Sequence, residues 1–468
     1  MQTSNPKPKS SGDRPGSPFP VTVIIVGAGI FGLSTALAIA KRYPSTSVTV
    51  VDRLTPPVID GSSVDTTRCI RADYADPIYA RLAKEAQTRI ENDPELNRYM
   101  FKQGMTFVCD GEDSRFTDLW KTQRELAKGT HHPDEIVDMM SREAVFQRIH
   151  GASAQPPPVD TLAGGKSRWN MAYCNLQDAF IDAEACVDVY YQRCLKEPSI
   201  TFKCGSTVER ICVEEGIAKG VELEDGTILP ADLILVAAGA WSNRLVYLEQ
   251  RINPIAIEVA WVKVTPEEEG HWKHMAITTN LSTGLNLFPP YRGEIKILRR
   301  SPGYKNTVEV EHPEDTSKTV QISYPRTIVT NPSDIIPRTA EDALRENLRE
   351  IMPELADRPF DRTKLCWLCT TPTADFLIAP HPRIRGIHLA TGGSAHAWKF
   401  LPIIGDLVVD SMDTVLAPEL VTKWAYERGR EGSDHNAPRM DGEPEELRDV
   451  VRSAQGLAGI PAGVDDEI

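Results

Sequence analysis

The chain has 468 residues, 41% of them hydrophobic, which is enough apolar material for two domains or one intertwined pair. A net charge of −14 and a pI near 5.3 argue against nucleic acid or a membrane surface as the main partner. Nine cysteines, odd in number and irregularly spaced, read as the reduced thiols of a cytoplasmic protein rather than a disulfide framework.

Residues 1–20 are rich in Pro and Ser, lack the apolar core of a signal peptide, and are expected to be a disordered tail. Val21 to Ala40 is uncharged and has the length of a membrane span, but Gly27, Gly29 and Gly32 punctuate it and a β-branched run precedes the first of them. A βαβ unit explains these residues better: a buried strand "VTVIIVGAG", a helix "GIFGLSTALAIAKRY", and a second strand "SVTVVDR" that carries Asp52. Helices are expected at 76–91, 112–128 and 174–197, then successive strands to about 242 with a hairpin turn at Asp225-Gly226. More strands with long loops occupy 255–330, and a helix follows at 339–352 with Thr339 as its N-cap and Pro353 beyond its end. Residues 426–468 read as a loosely attached polar tail with one short helix near 444–455.

Gly27-x-Gly29-x-x-Gly32 has a specific physical reading. The first glycine permits a tight turn, the second lets backbone approach a pyrophosphate, and the third lets helix and strand pack closely. The helix N-terminus offers unpaired N–H groups to the phosphates. Asp52, twenty residues after Gly32, can accept hydrogen bonds from a ribose diol. A second apolar strand ending "LILVAAGAWS" comes about two hundred residues later, with Gly239 turning the chain back towards the nucleotide. That recurrence makes FAD the first choice of cofactor over NAD. Late in the chain stands a Cys-x-x-Cys pair, Cys366 and Cys369. Zinc would need a second such pair or a histidine pair, and a helix-disfavouring "TTPT" follows where a thioredoxin-like site would start a helix. No metal site is expected.

Five segments in order, "VIIVGAGIFG", "GSSVDTTRCIR", "AAGAWS", "GEIKIL" and "CWLCTTPTADFLI…TGGSAHAWKFLPIIG", resemble the flavoprotein amine oxidases that include monomeric sarcosine, pipecolate, saccharopine and fructosyl amino acid oxidases. The resemblance runs from about residue 21 to 425. It implies an α/β (α+β) fold, with a Rossmann-like FAD-binding domain of the glutathione-reductase type at 21–100, 170–245 and 366–425. A mixed-sheet substrate domain at 101–169 and 246–365 would be interleaved with it. It implies that Arg71 and Lys399 hold a substrate carboxylate, that Arg68 lies beside the flavin ring, and that Lys296 faces flavin N5, where oxygen is reduced. Cys366 would bond covalently to the flavin 8α-methyl carbon. The cofactor set carried over is Gly27, Gly29, Ile30, Gly32, Asp52, Arg53, Ser62, Thr67, Arg68, Ala238, Gly239, Trp241, Cys366, Gly393, His396 and Lys399.

The residue chemistry agrees. An arginine fork matches a carboxylate in a desolvated pocket, and a lysine among Ile295, Ile297 and Leu298 would have its pKa pushed down by burial. Cys369 reads as a small core residue. The resemblance breaks in places: Ala395 and Ala397 flank His396 where the family has glycines, Leu368 replaces a pocket tyrosine, and Arg300 replaces a pocket histidine. Sarcosine itself is therefore an unsuitable substrate. The expectation is a monomeric oxidase of secondary or N-alkylated amino acids that uses oxygen as acceptor, releases hydrogen peroxide, and yields an imine that hydrolyses or is trapped intramolecularly. Three alternatives stay open: noncovalent FAD, a different electron acceptor, and a flavin-binding protein without turnover.

Overall fold

The uncharged run near the start of the chain divides into a strand, Thr22–Val26, and a helix, Ile30–Arg42, joined across Gly27 to Gly29. This computed structural model describes residues 19–112, 114–428, 440 and 442–453, so only Phe19 and Pro20 of the expected 1–20 tail fall within it. Among the described residues no helix is long and apolar enough to cross a membrane.

Thr22–Val26 lies inside a six-stranded sheet of order Leu377–Pro380, Ile387–Thr391, Leu233–Val236, Thr22–Val26, Ser47–Asp52, Ile200–Cys204. Every pairing is parallel except that of Leu377–Pro380 with Ile387–Thr391. Val23 and Ile25 pack into one core with the Ile30–Arg42 helix, whereas Ile24 and Val26 enter another. Burial on both faces is why this strand shows no polar alternation. A second helix, Leu401–Met412, packs against the first at Gly405, where an added Cβ would lie 2.1 Å from the Ser34 carbonyl oxygen.

The second large sheet is mixed and ten-stranded, with Asn253–Lys263 at its heart. That strand pairs antiparallel with Glu294–Arg299 on one side and Arg362–Thr370 on the other. The register sets Trp261 opposite Lys296 and Ile257 opposite Cys366. A three-stranded sheet, Arg68–Ile70 with Ala179–Ile181 and Met100–Lys102, bridges the segment that carries Arg68 and Arg71. The Asp225-Gly226 turn forms as expected, between Ile217–Leu223 and Ile228–Pro230, with Gly226 at φ +80°.

Several expectations are corrected. The 174–197 segment is not one helix: Met171–Asn175 and Ala179–Ile181 are strands, and the helix spans only Ala183–Leu195. Asp182 caps it by accepting the Ala185 N–H at 3.0 Å, and the fully buried residues before it complete two sheets. The expected 339–352 helix begins at Arg338, with Pro337 rather than Thr339 in the capping position. Within the polar tail, Glu445–Glu446 pairs with Tyr304–Lys305 and Leu447 is completely buried, so this part is docked. The short helix there covers Leu447–Val450. Residues 171–175 and 366–370 belong to the mixed sheet, not to the six-stranded one.

Candidate active site

Two cavities meet at the C-terminal edge of the parallel strands, sharing Gly29, Ser62, Ser63, Ala237 and Gly239 in their walls. Their volumes are about 850 and 1320 Å³, counting solvent at the mouths. Gly27, Gly29, Asp52, Arg53, Ala238 and Trp241 line the smaller one. The larger is walled by Ile30, Arg68, Arg71, Lys296, Cys366, Gly393, His396 and Lys399. Thr67 and Gly32 line neither. Thr67 lends its carbonyl to Lys296, and Gly32 sits where an added Cβ would be 1.9 Å from the Gly27 oxygen.

The glycine turn is a cradle that side chains would fill. Gly27 has φ +109°, and a Cβ there would come 2.5 Å from the Ala237 oxygen; at Gly29 it would meet Ser63 Oγ at 2.9 Å. Having no side chain, Gly29 leaves the helix start open, and the Ile30 N–H donates to Ser63 Oγ at 3.1 Å. Asp52 accepts the Ala28 N–H at 2.7 Å and the Leu54 N–H at 3.1 Å, which ties the second strand to the turn. Burial raises its pKa, so a polar ligand at the cavity wall would favour the carboxylate. Arg53 stacks on Trp241 at 4.4 Å and pairs with Asp60 at 3.1 Å. An elongated dinucleotide suits this groove: Gly27, Gly29 and the helix start would hold its phosphates, Asp52 a ribose, and the larger cavity its ring system.

Strand parity builds the larger cavity. Alternate residues of three neighbouring strands, Ile257 and Val259, Lys296 and Leu298, and Cys366 and Leu368, face it. Their neighbours Ala256, Ala260, Ile295, Ile297, Leu365 and Trp367 pack into the core behind. The same parity settles the geometry of the Cys-x-x-Cys pair. Residues three apart in a strand point to opposite faces, so Cys366 packs with Ile257, Val259 and Leu368 whereas Cys369 joins the core behind; Cys369 still touches the cavity wall beside Thr391, whose Oγ1 it contacts at 3.3 Å. Burial pushes the Cys369 thiol up to about 11. All nine cysteines are free thiols, and no group of metal-ligating side chains occurs among the described residues.

Lys296 is 2% exposed, donates to the Thr67 carbonyl and to Asp65 at 3.1 Å, and lies 4.0 Å from the centre of the Phe288 ring. Burial pulls its pKa down to about 8, against the opposing pull of Asp65. Asp65 also pairs with Arg68, and its two cations hold its carboxyl well below the usual range despite its own burial. The pair is asymmetric because Asp65 has two cations while Lys296 shares one carboxylate. Arg68 additionally donates to the Ser62 carbonyl at 2.9 Å.

Arg71 donates to the Asp73 carbonyl, and its guanidinium lies 4.5 Å from the centre of the Tyr74 ring. Lys399 donates to Tyr74 Oη at 2.8 Å and to the His396 carbonyl at 3.0 Å. His396 Nε2–H donates to the Ala374 carbonyl at 2.8 Å, so Nδ1 accepts from Tyr74 Oη at 3.1 Å. Burial, then the Lys399 charge, keeps His396 neutral; burial and Arg71 push Lys399 well below the ordinary lysine range. Ala395 adopts φ +63° in spite of its Cβ, so the turn expected to be hard without glycine forms with alanine. Sequence reasoning missed Ser63, Asp65, Asp73 and Tyr74. Asp65, an acid three residues before Arg68, was the one visible signal.

Residues 22–411 match the FAD dependent oxidoreductase family. The chain is 29% identical to L-saccharopine oxidase of Schizosaccharomyces pombe over 88% of its own length and 94% of that enzyme. It is 23% identical to the monomeric sarcosine oxidase of Bacillus sp. NS-129, over 84% and 92%. Among solved structures, the fructosamine oxidase Amadoriase II of Aspergillus fumigatus superposes with a TM-score of 0.77 at 26% identity, covering 92% of this chain and 96% of that one. A modified fructosyl peptide oxidase of Aspergillus nidulans gives 0.80 at 26%, over 92% and 98%. With the glycine cradle, Asp52 and the paired cavities already in place, the match over most of its length assigns the chain to the FAD dependent oxidoreductase family, as an FAD-dependent oxidoreductase.

Proposed function

We propose that this protein is an oxidase of secondary or N-alkylated amino acids, with FAD anchored through Cys366 and electrons passed to oxygen to give hydrogen peroxide. The observation that carries this reading is the placement of Arg71, Lys399, Lys296 and Cys366 in the walls of one buried cavity. The names of its relatives, saccharopine oxidase and sarcosine oxidase, support it.

In this reading Arg71, braced on Tyr74 and Asp73, binds the substrate carboxylate with its fork, and Lys399 supplies a second cation. A carboxylate beside Lys399 would return it to the charged state, because an opposite charge offsets its desolvation. Among the described residues Asp65 is the one carboxylate in the cavity walls, and it is engaged by Arg68 and Lys296. The walls therefore repel an ammonium and favour the neutral amine, the form whose C–H can leave with its electron pair. Bound FAD supplies the two-electron acceptor. Lys296, charged at neutral pH, is a preorganised cation for negative charge developing on oxygen. Cys366 shares the cavity walls with Arg68 and would supply the sulfur that bonds to the flavin. The imine product either hydrolyses or is captured by a nucleophile within the same molecule.

The test is a panel of N-alkyl amino acids offered to the FAD-loaded protein. Anaerobic bleaching of the flavin and peroxide release in air are expected with at least one of them. A flavin that no member of the panel bleaches would leave a non-catalytic flavin protein as the better account.

A further inference from the structure

Behind Arg71 lie two buried carboxyl groups, those of Asp73 and Asp178, each only 1% exposed. Asp178 sits in the turn between the strands Met171–Asn175 and Ala179–Ile181, where its carbonyl accepts the Gly104 N–H at 2.9 Å. Asp73 is well supplied with donors. Tyr173 Oη donates to one of its carboxyl oxygens at 3.2 Å, and Asn175 Nδ2 donates to the other at 2.9 Å. The Asn175 amide is fixed in that sense, because its own oxygen accepts the Gln177 N–H at 3.0 Å. Asp178 has the opposite surroundings. Neither of its carboxyl oxygens receives an N–H or O–H from the other described residues, and the group that meets them is the Asp73 carboxyl.

Two carboxyl groups in hydrogen-bonding contact need a proton between them, since two carboxylates offer acceptors only. The surrounding donors decide where it sits. Asp73, with a donor on each oxygen, suits the carboxylate. An ionised Asp178 would be a bare charge in the interior, so Asp178 is the acid that donates. Burial first, and then the Asp73 charge, push Asp178 well above the ordinary carboxyl range, against a smaller pull from Arg71. The other titratable groups around it are Cys174 and Tyr173 on the neighbouring strand and Lys399 across the site. Burial holds the thiol and the phenol uncharged. Asp178 thus reaches Arg71 by a short chain: its O–H secures the Asp73 side chain, and the Asp73 carbonyl accepts from the Arg71 guanidinium.

We propose that Asp178 is a positioning residue that works as the neutral acid, donating to Asp73 to hold the support of Arg71 in place without adding a second negative charge to compete with the substrate carboxylate. This rests on the carboxylate-binding role given to Arg71 above.

The probe is acetate, an unreactive carboxylate, titrated into the FAD-loaded protein at neutral pH and followed by flavin absorption. Asp178→Ala, which removes the donor, should raise the acetate Kd about tenfold. Asp178→Asn, whose amide N–H replaces the acid O–H, should restore it to within about threefold. An ionised Asp178 predicts another pattern, because Asn would then remove a negative charge and tighten acetate about tenfold. Two further readouts need no ligand. Infrared spectra of the wild type should show the carbonyl stretch of a protonated carboxyl, sensitive to D2O, that is missing from Asp178→Asn. The unfolded chain releases this proton near pH 4 whereas the folded one keeps it, so wild type loses stability as pH rises and the Asn variant does not. The Tm of Asp178→Asn relative to wild type should therefore climb between about pH 4 and 7. Spectra without that band, a Tm difference that ignores pH, or an Asn variant that binds acetate more tightly than wild type or no better than Asp178→Ala each overturn the proposal. Should Asp178→Ala fail to hold FAD, the band, Tm and Kd of the Asn variant decide. If acetate perturbs the flavin of neither wild type nor Asn variant, the carboxylate-binding reading falls and the proposal with it; a missing band with ordinary acetate binding overturns the proposal alone.

Discussion

Replacing Lys296 with Met removes a charge that the fold holds at a cost. The folded-state pKa of about 8 lies below the ordinary 10.5, a difference of about 2.5 units. At about 1.4 kcal/mol per unit, carrying this ammonium costs the fold roughly 3 kcal/mol at neutral pH. In the window between about 8 and 10.5 the unfolded chain holds the proton and the folded one does not, so stability rises with pH there. The cost is therefore fully present below about 8 and gone above 10.5. Lys296→Met apoprotein should be more stable than wild type at neutral pH by at most about 3 kcal/mol, near 3 °C in Tm for a chain of this size. Some of that gain is offset because Asp65 keeps only Arg68 as a partner. The advantage should vanish as the pH approaches 10.5. In the FAD-loaded protein, the same change should slow reoxidation by oxygen about a hundredfold, the scale of losing one preorganised charge partner. Thermal unfolding from pH 6 to 10 and stopped-flow reoxidation measure the two effects. A stability gap that does not change with pH would refute the desolvation argument, and reoxidation within about threefold of wild type would refute the role given to the charge.

Cys366→Ala should leave the flavin extractable by acid, whereas Cys369→Ala, altered on the other face of the strand, should keep it bound through denaturation; the reverse result would sink the assignment. Gly32→Ala should abolish flavin incorporation or folding, since the new Cβ would stand 1.9 Å from a backbone oxygen that cannot move away. Gly29→Ala should be milder, because its nearest obstacle at 2.9 Å is the movable Ser63 hydroxyl; equal flavin content in the two variants would contradict this. Tyr74→Phe removes the hydroxyl between Lys399 and His396, both buried, at a cost of about 1–3 kcal/mol. It should raise KM for the amino acid more than it lowers kcat, as denaturation and steady-state assays would show.

Local chemistry made much of the nucleotide half legible. The glycine spacing, the uncharged strand and Asp52 are consecutive in the chain and obey short-range geometric demands, so a βαβ unit could be read from them directly. The 174–197 segment was misread because "CNLQDAFI" is apolar enough for either helix or strand. Only its pairing with Met105–Cys109 and Arg68–Ile70 decides between them. Thr339 was misread as a cap because Pro337, a residue that suits a helix start, lies just before it.

The cavity differs in kind. Arg68, Arg71, Lys296, Cys366 and Lys399 come from segments spread over more than three hundred residues, and nothing local shows that they converge. Their roles were expected from resemblance; the sheet register and strand parity account for why they meet. The same parity packs Cys366 and Cys369 into different clusters although both touch the cavity wall. The amino-acid sequence by itself determined the nucleotide turn and the absence of a second metal-binding pair. Tertiary structure alone decided that Asp65 serves two cations, that Tyr74 links Lys399 to His396, and that Arg300 enters the cavity. The physical reason is that turns and caps depend on neighbours in the chain, whereas buried charge depends on neighbours in space.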